Sequence, residues 1–447
     1  MKKRAIKSAI QIAASVAVFL ILFAGSAEAT IDGITGTTFN LTVNTGQITT
    51  PDGGSYLIWG YTDGGGLAQY PGPTLIVNQG DRVTVTLTNN LTVTGGDPSP
   101  NVSIVFPGQQ VEVAAVDPGV PGVLTSEAAP GGTVTYEFTA THAGTYMYYS
   151  GTDSALQVEM GLVGAIIVRP YAGADHAYNH QDTRFDHEYL FLLSEMDSRI
   201  HQTVEFEGPA ALETTDYLSS YFPVLWFING RAAPDTMAPA GAAWLPSQPY
   251  NCVPRMHPGE KMLMRLIGAG RDLHPFHHHG SHSRIIAHDG RLLESAPGLG
   301  ADLSHEVFTV QTVPGETVDT IFEWTGKGLN WDIYGTPADD PELAHDCIDG
   351  NGDDFDDTTH EYCPDHYKPL PVILPENQDL AFGGFYSGSP FLGSLGALPP
   401  GEGGMNPYGG FAYMWHSHTE KEMVNYDIFP GGMMTMLIIQ PPGVPIP

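Results

Sequence analysis

Basic residues are scarce in this chain. It has 18 Lys+Arg against 50 Asp+Glu in 447 residues, a formal net charge of −32. A surface of that sign repels phosphate backbones and anionic lipid, which excludes nucleic acid and acidic membranes as partners and leaves cations and basic proteins. Cysteine is scarcer still: Cys252, Cys347 and Cys363 are the only three. Cys347 and Cys363 flank an acidic segment and can pair in an oxidising compartment, which leaves Cys252 odd. None stands beside the histidine motifs described below, so a metal held there would lack a thiolate donor. Long stretches with helical apolar periodicity are also missing. With 53 Gly, 36 Pro and 10% aromatic residues, the chain reads as many short strands joined by turns. Its length suffices for two or three domains, and 42% hydrophobic residues can build their cores.

Residues 1–29 stand outside the fold. Lys2, Lys3, Arg4 and Lys7 precede an apolar run from Ile10 to Phe23, and Ala27-Glu28-Ala29 forms a small-residue cleavage site, the pattern of a secretory signal peptide. The run is short for a membrane span, and no cysteine follows it to carry lipid. The expected product is secreted or periplasmic, with no membrane attachment after cleavage. Removing Lys2, Lys3, Arg4, Lys7 and Glu28 leaves 14 basic against 49 acidic residues, a net charge of −35.

A first domain is expected over residues 36–170. Tyr70-Pro71-Gly72-Pro73 and Gln79-Gly80-Asp81 are turns, and Arg82 to Leu87 puts Val83, Val85 and Leu87 on one face. Thr133 to Thr139 alternates similarly, and Gly161 to Val168 is apolar enough to be buried on both faces. These strands suit a Greek-key sandwich. Residues 171–186, polar and aperiodic, read as a linker. A second domain, 187–447, echoes the first: Gly80-Asp81 with its strand parallels Gly259-Glu260 with Met262, Met264 and Leu266, so two copies of one sandwich are the simplest account. An insertion at about 326–410 is rich in Asp, Gly and Pro. Within it Asp349, Asn351 and Asp353 alternate with glycine as calcium ligands do, although Asp354 and His360 stand where a helix-loop-helix calcium loop needs Gly and Glu. Calcium is one expectation there and a solvated acidic loop the other.

The chemistry concentrates in His274-Pro275-Phe276-His277-His278-His279-Gly280 and Trp415-His416-Ser417-His418. On a strand, alternate side chains share a face, so His277 joins His279 and His416 joins His418. Four imidazoles on two neighbouring strands can meet on a metal, with His274 preceding them; such a set suits copper, zinc, iron or nickel. His278 points the other way, and His278, His282 and His288 are expected outside the ligand set.

These motifs resemble those of the multicopper oxidase family. His274-Pro275-Phe276-His277-His278-His279-Gly280 is similar to its H-P-x-H-x-H-G copper motif, Tyr70-Pro71-Gly72-Pro73 with Gly80-Asp81 to its opening P-G-P and G-D, and His416-Ser417-His418 with Gly431-Gly432-Met433 to its closing H-C-H and G-x-M. The resemblance implies an all-β fold of two cupredoxin-like Greek-key β-sandwich domains. It implies a type 2 copper at His277, type 3 coppers at His279, His416 and His418, and a type 1 (blue) copper at His274. The departures are specific. Ser417 replaces the type 1 cysteine and Glu422 the next type 1 histidine. In the first domain Val105-Phe106-Pro107-Gly108 stands for H-W-H-G, and Tyr149-Ser150-Gly151 for H-S-H. The expectation is therefore a copper-binding protein holding one copper on the domain-two histidines, without a type 1 site. Tyr148, Tyr149 or a residue of another subunit would complete that site, and a small molecule would be its substrate. A second reading is an active copper oxidoreductase, laccase- or nitrite-reductase-like, with ligands supplied across an oligomer interface. The third is a metal-free structural or surface protein.

Overall fold

The structure is a computed structural model that describes residues 31–338, 341, 344–369, 411–440 and 444–446. The expected signal segment and residues 370–410 of the insertion lie outside these. Two β-sandwiches account for nearly all the regular structure, and the fold is all-β with cupredoxin-like domains.

The first sandwich faces a five-stranded sheet, ordered Ser55–Asp63, Thr38–Thr49, Arg82–Asn89, Thr133–Thr139 and Glu112–Val113, with a four-stranded one, ordered Ile34–Thr35, Leu75–Asn78, Val163–Arg169 and Gly144–Tyr149. The alternation in Arg82–Asn89 works as its sequence dictates. Val83, Val85 and Leu87 are fully buried against Trp59, Tyr136 and Phe138, and each contributes about 1.5–3 kcal/mol by leaving water.

The second sandwich repeats the pairing. Thr38–Thr49 runs parallel to Arg82–Asn89, as His187–Met196 does to Lys261–Gly268. Leu75–Asn78 runs parallel to Val163–Arg169, as Arg255–Met256 does to Met434–Ile439. The hairpin of Gly144–Tyr149 with Val163–Arg169 returns as Phe411–Ser417 with Met434–Ile439. The parallel noted in sequence is thus a repeat of topology.

A third apolar core seals the two sandwiches together. Ile58, Tyr70, Met147 and Ile167 of the first pack with Leu192, Leu225, Phe227 and Ile267 of the second. Beside it, Arg169 Nη1 donates to Glu188 Oε1 (2.6 Å), which also accepts from Arg265 Nε (2.5 Å), and Arg265 Nη1 donates to Thr145 Oγ1 (2.9 Å). Residues 171–186, read as a linker, are packed: Ala177, Tyr178 and Phe185 are buried against Leu263, Ile286 and Ile321. The helix Ser198–Phe206, opened by the Asp197 carboxylate accepting from Arg199 N–H, buries Ile200 and Val204 in the first sandwich's core. That segment follows the start of the second sandwich in sequence yet lies on the first. The described part of the insertion is irregular but anchored. Trp331, Ile333 and Tyr334 enter the second core, and Cys347 is disulfide-bonded to Cys363 with Cα atoms 5.7 Å apart.

Candidate metal centre

The strand His274–His278 lies between Phe411–Ser417 and Thr309–Thr312, with His277 directly opposite His416. Pairing at that register sets the two imidazoles on one face, and the pleat brings His279 to the same side. The chain turns at Gly280, whose φ of +109° a side chain would oppose. His278 goes to the opposite face. It is fully buried between Phe322 and Trp415, and its Nε2 accepts from Ser283 N–H at 3.1 Å. Burial, and then the neighbouring His277, push it down to about 3.

Four rings cluster on the face opposite His278. His277 lies 4.8 Å from His279, 5.4 Å from His416 and 4.9 Å from His418 between ring centroids, and His279 and His416 are 5.5 Å apart. The Nε2 atoms of His279 and His416 are 3.4 Å from each other, and one nitrogen each of His277, His279 and His416 fall within 4.8 Å of one another. An ion about 2.0–2.1 Å from imidazole nitrogen fits among them after a small contraction. Their outer contacts select the useful tautomer. His416 Nδ1–H donates to Ser417 O (2.7 Å) and His277 Nδ1 meets Thr309 Oγ1 (2.8 Å), which turns Nε2 of each toward the cluster. Burial first, and neighbouring histidines after it, hold His277 at about 4, and burial likewise holds His416 at about 4. Both rings are neutral at pH 7, as metal ligands must be. His418 is exposed, and with Phe308, 50% exposed and 5.6 Å from His277, it marks the side open to solvent.

His274 is set apart from this group. It is fully buried, with Nδ1 2.9 Å from Glu422 Oε2 and Nε2 2.9 Å from Glu195 Oε2. Burial alone would lower its pKa, but hydrogen bonds and charge from Glu195 and Glu422 raise it to about 9. An imidazolium donating from both nitrogens has no lone pair for a metal. The Glu195 carboxylate is fixed in turn by the backbone N–H groups of Arg271 (2.5 Å) and Asp272 (3.1 Å). The chain approaches it so closely that a Cβ at Gly270 would lie 1.7 Å from Glu195 Oε2. A Glu–His–Glu triad therefore stands where the resemblance would put a blue copper, beside the buried Ser417.

The first sandwich offers no counterpart. Val105 bridges Tyr149 in the register that His277 holds with His416. Phe106 packs with Tyr136, Phe138 and Tyr148, and a Cβ at Gly151 would come within 2.7 Å of Val105 Cγ1. Core packing occupies the positions where ligands would sit. Tyr148, expected as a completing ligand, is buried in that core with its hydroxyl donating to Pro73 O at 2.7 Å. Tyr149 lines a separate cavity of about 310 Å³ between the sandwiches, together with Glu159, Glu195 and Arg271.

In the acidic loop, Asp349 Oδ1 accepts from the N–H groups of Gly352 (2.6 Å) and Asp353 (3.1 Å), and Asn351 Oδ1 accepts from Asp353 N–H at 2.9 Å. Among the described residues, neither Asp349 nor Asp353 joins a convergent group of three or more ligand side chains. The sequence reading missed Glu195. Its signal was a carboxylate closing the apolar strand from Tyr189 to Leu193, which once buried requires a cationic partner.

These features define a class: paired cupredoxin-type sandwiches with a histidine cluster confined to the second. Residues 42–173 match the family model described as multicopper oxidase. Laccase-1 of Emericella nidulans is 30% identical over 196 residues, 41% of this chain and 29% of that protein. The iron transport multicopper oxidase FET3 of Saccharomyces cerevisiae is 36% identical over 128 residues, 28% of this chain and 18% of that protein. The chain thus matches less than a third of the length of either relative. A solved blue copper oxidase from Nitrosomonas europaea shares the fold with a TM-score of 0.53 at 20% identity, over 90% of this chain and 85% of that one. The likeness to the multicopper oxidase family thus covers residues 42–173 by the family model, and the fold shared with the solved blue copper oxidase extends over 90% of the chain.

Proposed function

We propose that this protein is exported by its amino-terminal signal and binds one copper ion through His277, His279 and His416, with His418 at the mouth of the site. The carrying observation is the convergence of these imidazoles, with nitrogens of His277, His279 and His416 inside 4.8 Å and two of the three rings held neutral at pH 7. Copper held there by His277, His279 and His416 would supply one-electron redox chemistry and Lewis acidity. The chain's own part is to present lone pairs, to fix the rings through Thr309 and Ser417, and to leave access beside His418 and Phe308. No thiol lies between His416 and His418, so no sulfur path links this site to a second copper, and His274 belongs to the charge triad. Substrate oxidation at the open side is a second reading, favoured by the exposure of His418. Metal quantification with electron paramagnetic resonance tests the first; turnover with a reductant and dioxygen or nitrite tests the second. For Asp349, Asn351 and Asp353 we favour a self-capped acidic turn, and a calcium-dependent rise in thermal stability would instead indicate calcium there.

A further inference from the structure

The insertion carries a second convergence of ligand side chains, unrelated to the family's histidine motifs. Asp332, His345, Glu361 and His366 each present one ligand atom, all within 4.8 Å of one another. His345 Nε2 is 2.9 Å from Glu361 Oε1, and His366 Nδ1 is 3.3 Å from Glu361 Oε1 and 3.4 Å from Asp332 Oδ2. Ligands around a tetrahedral ion at about 2.0–2.2 Å stand roughly 3.3 Å apart, so several of these pairs are already at the required spacing.

The cluster is built rather than incidental. The Cys347–Cys363 disulfide closes the loop on which it sits: His345 lies two residues before Cys347, while Glu361 and His366 bracket Cys363. Tyr367 stacks on the His366 ring with centroids 3.7 Å apart, and its N–H donates to Asp332 Oδ2 at 2.9 Å. The Tyr367 hydroxyl also donates to His345 O. Tyr334, in the second core, donates its hydroxyl to Thr359 O at 2.6 Å. Two carboxylates, Asp332 and Glu361, are each 2% exposed, a costly arrangement without a compensating cation. Glu361 Oε2 is buried with no hydrogen-bond partner, and a bound cation satisfies such a group.

We propose that Asp332, His345, Glu361 and His366 bind a zinc ion that locks the insertion onto the second sandwich. Two imidazoles with two carboxylates suit zinc, whereas calcium takes oxygen ligands only. Four protein ligands make a closed, structural site. It is independent of the copper reading, because it shares no residue with His277, His279, His416 or His418.

The test uses the full mature chain, stripped with a chelator, equilibrated with zinc chloride and passed through gel filtration. The expected result is one zinc per chain in the His277→Ala/His416→Ala variant, whose imidazole cluster no longer competes for zinc, and none once His345→Ala/His366→Ala is added. Zinc should also raise the melting temperature of the unmutated chain. X-ray absorption at the zinc edge of the His277→Ala/His416→Ala variant covers the case in which adding His345→Ala/His366→Ala prevents folding; a mixed nitrogen and oxygen shell with two imidazoles is expected. Failure of the His277→Ala/His416→Ala variant to retain zinc, a zinc shell of imidazoles alone in it, or full zinc retention after His345→Ala/His366→Ala is added would overturn the proposal.

Discussion

At the scale of single residues, His274 shows how one motif separates into two roles. It opens the same H-P-x-H-x-H sequence as His277 and His279, yet Glu195 and Glu422 claim both its nitrogens. Removing one partner of such a buried pair strands the others, so Glu422→Ala should cost about 3–5 kcal/mol at pH 6, measured by denaturant unfolding. Because the folded-state pKa of His274 is raised to about 9, the triad's contribution is complete below pH 6.5 and is lost as pH rises through 9; the variant's deficit should shrink correspondingly by pH 10. His277 and His416 behave oppositely. Their folded pKa values are depressed to about 4, so the metal-free protein should lose stability as pH falls from 6.5 toward 4. Replacing either with Gln should flatten that acid limb in a pH series of melting curves. Ser417→Cys restores a thiol between the two histidines, but with His274 held by carboxylates it should not produce an intense blue absorption band after copper loading. The appearance of that band would show His274 available to metal.

At the scale of elements, what was legible followed from period and spacing. The alternation in Arg82–Asn89, the turn at Gly80-Asp81 and the two H-x-H pairs each depend on near neighbours in sequence, and each stands where local rules put it. Residues joined only by folding were not legible. Glu195 meets His274 across 79 positions, and the helix Ser198–Phe206 follows the second sandwich's first strand but packs on the first sandwich. In the insertion, composition announced acidity and glycine, while the disulfide and Trp331 give it its anchorage. Cys347→Ser/Cys363→Ser should remove about 3 kcal/mol of local restraint by the loop-closure argument. The increase in amide exchange should be confined to residues 344–369, with the four-histidine cluster unaffected.

At the scale of the whole molecule, the two sandwiches share a core and a buried charge network, so they should unfold together. Phe227→Ala opens the shared core and should cost about 3–5 kcal/mol while calorimetry still shows one transition; two separated transitions would mean that the sandwiches are independent. The first sandwich's own core fills the positions where its ligands would sit, as Val105, Phe106 and Gly151 illustrate, and on the proposed reading confines copper to one strand pair of the second. That confinement is the central claim, and copper content with electron paramagnetic resonance on the copper-loaded chain tests it most directly. One copper per chain is predicted, with nitrogen hyperfine structure and no blue thiolate signal, lost on His279→Ala/His416→Ala. Three or more coppers per chain, or full copper retention in that variant, would contradict it.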